Sequence, residues 1–197
     1  MKLLLASMST TRRGMLEAAG VAFDAVPAMI DEDARKAELQ HDGLAAHVVA
    51  KTLAEMKALS VLEAVGTLII GCDQTLEYGD GETFDKPKTR DEAFDQLKTL
   101  SGRSHFLHSA VAVAENKKIV WRHSDTVRLT MRTLSDEFID SYLDVEYEDV
   151  RNSVGGYHIE GRGAQLFDWV EGSHFAIQGL PLLPLLKYLR ERSILMA

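Results

Sequence analysis

One cysteine, Cys72, in 197 residues leaves no partner for an internal disulfide, and the chain reads as one kept in a reducing cytoplasm. Four prolines and fourteen glycines are too few for a collagen-like or linker-rich chain. Aromatic side chains make up only 7%, so the core has to rest on aliphatic residues. No apolar run approaches the ~20 residues of a membrane-spanning helix. The opening segment 1–7 has too short an apolar stretch for a secretion signal, and Arg12-Arg13 stand where a cleavage site would fall. Cations are scarce as well: 22 Lys and Arg face 30 Asp and Glu, a formal charge of −8 at pH 7. Gripping a nucleic acid needs a basic face, so neither nucleic acid nor a membrane is an expected partner. A small polyanion can still be held where Arg and Lys cluster locally.

What is present is a globular balance, 46% hydrophobic and 26% charged, enough for one domain over residues 1–197 or two closely packed lobes. Residues 3–6 read as a short buried strand. A hydroxyl-rich loop follows at 7–11, in which Ser9 or Thr10 can cap a helix that stops at Gly20. A strand at 21–26, an acidic stretch at 31–33 and a long helix at about 44–65 come next. Residues 68–73 form the clearest buried strand, ending on Asp73, and 76–78 with 82–84 form a hairpin around Gly79-Asp80-Gly81. Thr89 caps a helix with Ala93, Phe94, Leu97 and Leu100 on its apolar face. Two longer strands at 104–114 and 118–132 precede a helix at about 135–143. The Gly-rich segment 155–163 leads into two short strands, and Pro181 opens a final helix at 182–192. Met29, Met56 and Met131 fall in apolar patterns that place them in the core. The mixture of helices and hairpins predicts an α/β class with a mixed sheet.

Four segments can carry chemistry. At the first, Ser7, Ser9, Arg12 and Arg13 surround a helix N-terminus, where N–H groups and a bidentate guanidinium suit phosphate oxygens; an ordinary strand-to-helix connection has the same spacing. Asp73, at the end of a hydrophobic strand, can hold a metal or orient a water, or simply turn the chain. Gln74 beside it is a hydrogen-bonding group of the kind that reads a base edge. Lys86 precedes Pro87, which stiffens its turn and aims a point charge, although a solvated loop reads the same way. In 155–163 the glycines let backbone approach a ligand, with Tyr157, Glu160 and Arg162 as recognition groups, or form a Gly-rich hairpin without one. The seven histidines show no metal-site spacing, and Cys72 in its apolar strand reads as an inert buried thiol.

In order along the chain stand Leu5-Ala6-Ser7-x-Ser9 with Arg12-Arg13, Asp31-Glu32, Leu53-Ala54-x-x-Lys57-Ala58, Gly71-x-Asp73 and Gly81-Glu82 with Lys86-Pro87. Leu100-Ser101-Gly102-Arg103-x-His105, Gly155-Gly156-Tyr157, Gly161 and Gly179-Leu180-Pro181 complete the set. This ordered set, spanning nearly the whole chain, resembles the Maf family of nucleoside triphosphate pyrophosphatases. The resemblance implies an elongated mixed β-sheet with flanking helices, in two lobes around a nucleotide cleft, similar to the inosine triphosphatase fold. It implies a hydrolase acting on acid anhydrides, which splits the α–β phosphate bond to a monophosphate and pyrophosphate with a divalent metal, Mg²⁺ or Mn²⁺, with Co²⁺ as a further candidate. It assigns Asp73 as the catalytic base, Glu32 and Asp73 to the metal, and Ser7, Arg12, Arg13, Lys57 and Lys86 to the phosphates. Several cations and a metal suit a ligand carrying about four negative charges. A homodimer is expected on the same ground.

Where the family commonly carries Thr after the catalytic Asp and Gln in the Tyr-Gly-Ile-Gln-Gly segment, this chain has Gln74 and Glu160. Both look like the subgroup acting on 7-methyl-GTP, and a carboxylate such as Glu160 can accept hydrogen bonds from guanine N1–H and N2–H₂. Thr11 stands where that subgroup often has a tryptophan able to stack on a cationic base. The alternatives are a pyrimidine (dTTP or UTP) pyrophosphatase of the same family and a nucleotide-binding regulator of cell division and septum formation.

Overall fold

Alternate residues of the first and third strands are buried on opposite faces, which explains their unbroken apolar runs. The structure, a computed structural model, describes residues 2–62 and 65–196. In β1 (Lys2–Ala6) and β3 (Thr67–Tyr78), Leu3, Leu5, Leu68, Ile70 and Cys72 enter one core cluster, whereas Leu4, Ala6 and Ile69 enter the other. The first cluster is covered by Met15 and Leu16 of α1 (Thr10–Ala18) and by Leu182, Leu185 and Leu189 of α7 (Leu182–Glu191). The second meets Ala50, Ala54 and Ala58 of α3 (Ala46–Ser60). Small residues are required there: a Cβ at Gly71 would overlap the Ala54 carbonyl oxygen and sit 2.5 Å from the Ala58 nitrogen. Strand and helix thus meet almost backbone to backbone, and that approach brings Lys57 down onto β3.

The remaining elements are β2 (Asp24–Val26), α2 (Glu32–His41), β4 (Glu82–Phe84), α4 (Arg90–Leu100), β5 (Ser104–Glu115), β6 (Lys118–Met131), α5 (Asp136–Val150), β7 (Phe167–Glu171) and α6 (His174–Ile177). The sheet runs β2-β1-β3-β5-β6-β7, with β4 on β3. β1 lies parallel to β2 and β3, while β3–β4 and β6–β7 are antiparallel, so the expected mixed sheet is present. The chain divides into two compact units. One comprises residues 1–74, 108–125 and 173–197; the other comprises 75–107 and 126–172. Within the second, α4 packs on α5, and Arg90 bridges Asp140 and Asp144 at 3.1 and 2.6 Å. Among the described residues no helix is long and apolar enough to cross a membrane.

Several expectations need correction. The helix expected at 44–65 ends at Ser60, and a separate helix, α2, precedes it; positions 63 and 64 lie outside the described residues. α2 buries none of its side chains, so no apolar period marks it, and only its Asp31 cap, accepting from the Ala34 N–H at 3.0 Å, signals its start. The strand expected at 21–26 pairs only over Asp24–Val26. The helix expected to end near 143 continues to Val150. In place of a second strand after the Gly-rich segment stands α6, and Met29 is 74% exposed, not core. Finally, 68–73 and 76–78 are one strand of 12 residues, so Asp73 lies in mid-strand and not at its end.

Candidate active site

A charge in the middle of a buried strand needs a partner, and Asp73 has one. Its carboxyl is 3% exposed and Lys57, on the buried face of α3, is 4% exposed. Lys57 Nζ donates to Asp73 Oδ1 at 2.6 Å and lies 2.6 Å from Glu32 Oε2. Glu32 is the first residue of α2, so the Asp31 cap that starts the helix also fixes this second carboxylate. Burial pushes the Asp73 carboxyl above the usual carboxylate range; Lys57 opposes that shift, Glu32 adds to it, and Arg12 opposes it more weakly. The outcome is a carboxylate with raised proton affinity, oriented by an ammonium.

Arg12 stands in the first turn of α1, where the Ser9 hydroxyl accepts from its backbone N–H at 3.3 Å. Its Nε donates to the Gly179 carbonyl at 2.8 Å and its Nη1 to the Cys72 carbonyl at 3.3 Å. Ser7, buried just past β1, accepts from the Ser9 N–H at 3.3 Å. Thr11 and Arg13 are half-buried on the same first turn. The first unit thus brings together Ser7, Arg12, Glu32, Lys57, Asp73 and Gln74. Cys72 is buried with its thiol pushed up to about 11, inert as its sequence context indicates.

Gln74 is not open to a base on its donor side. Its Nε2 donates to Ser109 Oγ at 2.8 Å and to the carbonyls of Ala176 and Ile177 at 2.9 and 3.0 Å. Sequence reasoning missed Ser109 and these two carbonyls; the one available signal was a hydroxyl inside the apolar run of β5. Lys86 and Glu160 belong to the second unit, and both are exposed.

Tyr157, expected as a recognition group, is instead buried and hydrogen-bonded to His105 Nε2 at 2.7 Å. Gly155 makes this possible, since at φ +82° a Cβ there would stand 2.7 Å from Leu76 Cδ1 and 2.8 Å from Tyr157 Cε1. Burial pushes the His105 imidazole down to about 4 from its ordinary 6.5. The unfolded chain then binds more protons than the folded one between those values, so stability is lost as pH falls through that window. The loss is on the order of 3 kcal/mol. Urea unfolding at pH 7 and at pH 4.5 is expected to show this loss in the wild type and a smaller one in His105→Gln.

Whether the site suits a divalent cation follows from its donors. Among the described residues no three His, Cys, Asp or Glu form a metal-binding group. The two carboxylates of Glu32 and Asp73, held beside one ammonium, match the habit of Mg²⁺, which takes one or two protein carboxylates and completes its shell with water and substrate phosphate.

Residues 2–192 match the family profile described as Maf-like protein. A nucleoside triphosphate pyrophosphatase of Rhodopseudomonas palustris (strain BisB18) is 47% identical over 195 residues, covering 98% of this chain and 95% of its own. A 7-methyl-GTP pyrophosphatase of Rhizobium meliloti (strain 1021) is 46% identical over 190 residues, covering 96% and 95%. A solved HAM1 protein from Coxiella burnetii aligns with 66% of the chain and 73% of its own at 17% identity, with a TM-score of 0.41.

Proposed function

The chain belongs to the Maf family, and from that premise we propose that it hydrolyses a nucleoside triphosphate between the α and β phosphates. Water adds to the α-phosphorus, the α–β bridging oxygen leaves with the pyrophosphate, and the nucleoside monophosphate remains. The observation that carries the assignment is the buried Asp73 held by Lys57 beside Glu32. A carboxylate whose proton affinity burial has raised is suited to take a proton from the attacking water. Lys57 holds Oδ1 at 2.6 Å and so orients the carboxylate for that role. Arg12, anchored by two backbone carbonyls, can turn the rest of its fork to phosphate oxygens. Ser7 adds a hydroxyl from the loop before α1, and Arg13 adds a second guanidinium from the same helical turn as Arg12. A divalent cation, Mg²⁺ or Mn²⁺, is the proposed cofactor; Glu32 and Asp73 would hold it, and its chemistry is neutralisation of phosphate charge.

For the base we propose 7-methylguanine, the substrate in the name of the Rhizobium meliloti relative. Glu160 carries the matching chemistry: its carboxylate can accept from N1–H and N2–H₂ and favours a base that methylation has made cationic. The test is pyrophosphate release from 7-methyl-GTP, GTP, dTTP, UTP and CTP with Mg²⁺ or Mn²⁺. The expected result is at least a tenfold preference for 7-methyl-GTP, reduced about tenfold in Glu160→Gln, the worth of roughly 1.4 kcal/mol of base contact. Preference for a pyrimidine would move the chain to the other branch of the family. No release from any nucleotide, with Co²⁺ also tried, would overturn the enzyme reading.

A further inference from the structure

We propose that His105 and Tyr157 are positioning residues for base selection: their buried hydrogen bond anchors a β-turn at residues 158–161 and so fixes where the Glu160 carboxylate stands. The consequence for selectivity rests on Glu160 meeting the base as proposed above; the anchoring does not.

Residues 157–167 form a loop whose two ends meet in one cluster. Tyr157 opens it and Phe167, the first residue of β7, closes it, with their rings edge to face and centroids 4.9 Å apart. The His105 ring lies 5.8 Å from Tyr157 and 5.9 Å from Phe167. A compact loop with adjoining ends is held by what packs at its base. Between those ends the backbone folds tightly. The Gly161 N–H donates to the His158 carbonyl at 3.2 Å, closing a β-turn with Ile159 and Glu160 at its two central positions. The Ala164 N–H then donates to the Gly161 carbonyl at 3.1 Å and opens a 3₁₀ helix over Arg162–Leu166. Gly163 of that helix lies so close to the turn that a Cβ on it would overlap the His158 carbonyl oxygen. The His158 ring also bonds back to Ser153 Oγ at 2.6 Å. Backbone set against backbone leaves the turn no room to shift by itself, so its place follows that of Tyr157.

What sets Tyr157 is a bond with direction. Apolar packing is non-directional, whereas a hydrogen bond fixes distance and angle. The buried Tyr157 hydroxyl meets His105 Nε2 at 2.7 Å, and His105 is the second residue of β5, held in the sheet. Among the described residues His105 Nδ1 has no hydrogen-bond partner. A half-satisfied polar pair is a poorer core filling than an apolar pair of the same volume, so stability does not account for it and placement does. Burial pushes the imidazole down and the Tyr157 hydroxyl up, so the same neutral bond persists throughout neutral pH. Arg162, the nearest cation along the chain, is turned to Glu146 of α5 at 3.6 Å. Glu160 is left exposed on the turn.

The experiment compares wild type, Tyr157→Phe and His105→Leu, each also combined with Glu160→Gln, in amide hydrogen exchange without nucleotide and in hydrolysis of 7-methyl-GTP and dTTP. Phenylalanine keeps the ring and removes only the hydroxyl; leucine removes the partner of that hydroxyl. Exchange at the amides of Gly161 and Ala164 is expected to rise at least fivefold in both single variants. The ratio of kcat/KM for 7-methyl-GTP over dTTP is expected to fall about fivefold through KM for 7-methyl-GTP, with kcat on either nucleotide within twofold of wild type. With Glu160→Gln already present, Tyr157→Phe should change that ratio less than twofold, because residues acting through one group are not additive. Unchanged exchange in both single variants overturns the proposal, whatever the activity. So does an equal fall of the ratio with and without Glu160→Gln, or a loss of kcat on both nucleotides at constant ratio, which marks a merely structural pair. Should Tyr157→Phe fail to fold, His105→Leu decides by the same readouts. Should the wild type prefer dTTP or release no pyrophosphate, the function proposed above fails, while the exchange arm still decides whether the pair holds the turn.

Discussion

Asp73→Asn is expected to lower kcat for pyrophosphate release about a thousandfold while leaving the protein folded. Asparagine keeps the shape and an oxygen able to accept from Lys57 Nζ, which stands 2.6 Å from Asp73 Oδ1, but it cannot take a proton from water. Loss of a positioned general base costs ~10²–10⁴-fold, and here the amide also removes one of the two carboxylates proposed to hold the cation. Stability should change little, because Glu32 still lies 2.6 Å from the Lys57 ammonium and the lost ion pair is offset by the loss of a buried charge. Burial raises the carboxyl above its usual range, so the folded protein binds the Asp73 proton more tightly than the unfolded chain does. The stability linked to that proton is present below the ordinary Asp range and is lost as pH rises through the raised folded value. The amide abolishes that loss. Kinetics with saturating 7-methyl-GTP, alongside thermal melts at neutral pH, check both halves. A rate within tenfold of wild type would remove Asp73 from the role of base and leave Glu32 as the carboxylate to examine.

How much of this was legible beforehand differs by residue, for physical reasons. β1, α1 and the hairpin β3–β4 follow from apolar runs, a Ser9 cap and Gly-Asp-Gly, all local signals. α2 has no buried face, so periodicity was silent and only Asp31 spoke for it. From sequence Asp73 reads as a strand's end, since an isolated charge should stop a buried strand; the strand runs on because its counter-ion comes from 16 residues away, which no local pattern contains. Lys57 was within reach of pattern reasoning: it continues the stripe Ala50, Leu53, Ala54 of α3, and a lysine on an apolar stripe calls for a buried partner. The same kind of signal attended Ser109 inside β5. The place of Gln74 beside Asp73 suggests a base reader, whereas what its amide nitrogen touches depends on a segment about a hundred residues later. Tyr157 likewise looked like a ligand group in a Gly-rich loop until His105 claimed its hydroxyl. In each of these cases the sequence marked a polar residue out of place, and only the fold supplied the partner.

Lys57→Met is the second change with a large expected effect, and it acts on fold and chemistry together. Methionine fills the buried channel but leaves Glu32 and Asp73 facing one another without the ammonium that now lies 2.6 Å from each. Breaking a buried pair from one side costs about 3–5 kcal/mol, because the remaining charge is left uncompensated. Asp73 can escape part of that cost by taking up a proton. Lys57 is the largest influence holding its carboxyl down against burial, and Glu32 pushes the other way, so without the lysine the folded carboxyl rises further. The sign for stability follows: the variant should lie closest to wild type in acid, where Asp73 is protonated, and fall furthest behind as pH rises through neutrality. The sign for activity is the same in cause and opposite in demand. The proposed base must be ionised to act, so the acid limb of the kcat profile should move to higher pH, the range in which the fold is weakening, and the usable pH window should close from both sides. Urea unfolding and kcat measured at half-unit steps from pH 5 to pH 9 test this together. A variant as stable as wild type at pH 8, with its acid limb unmoved, would show that Asp73 does not depend on Lys57 for its charge.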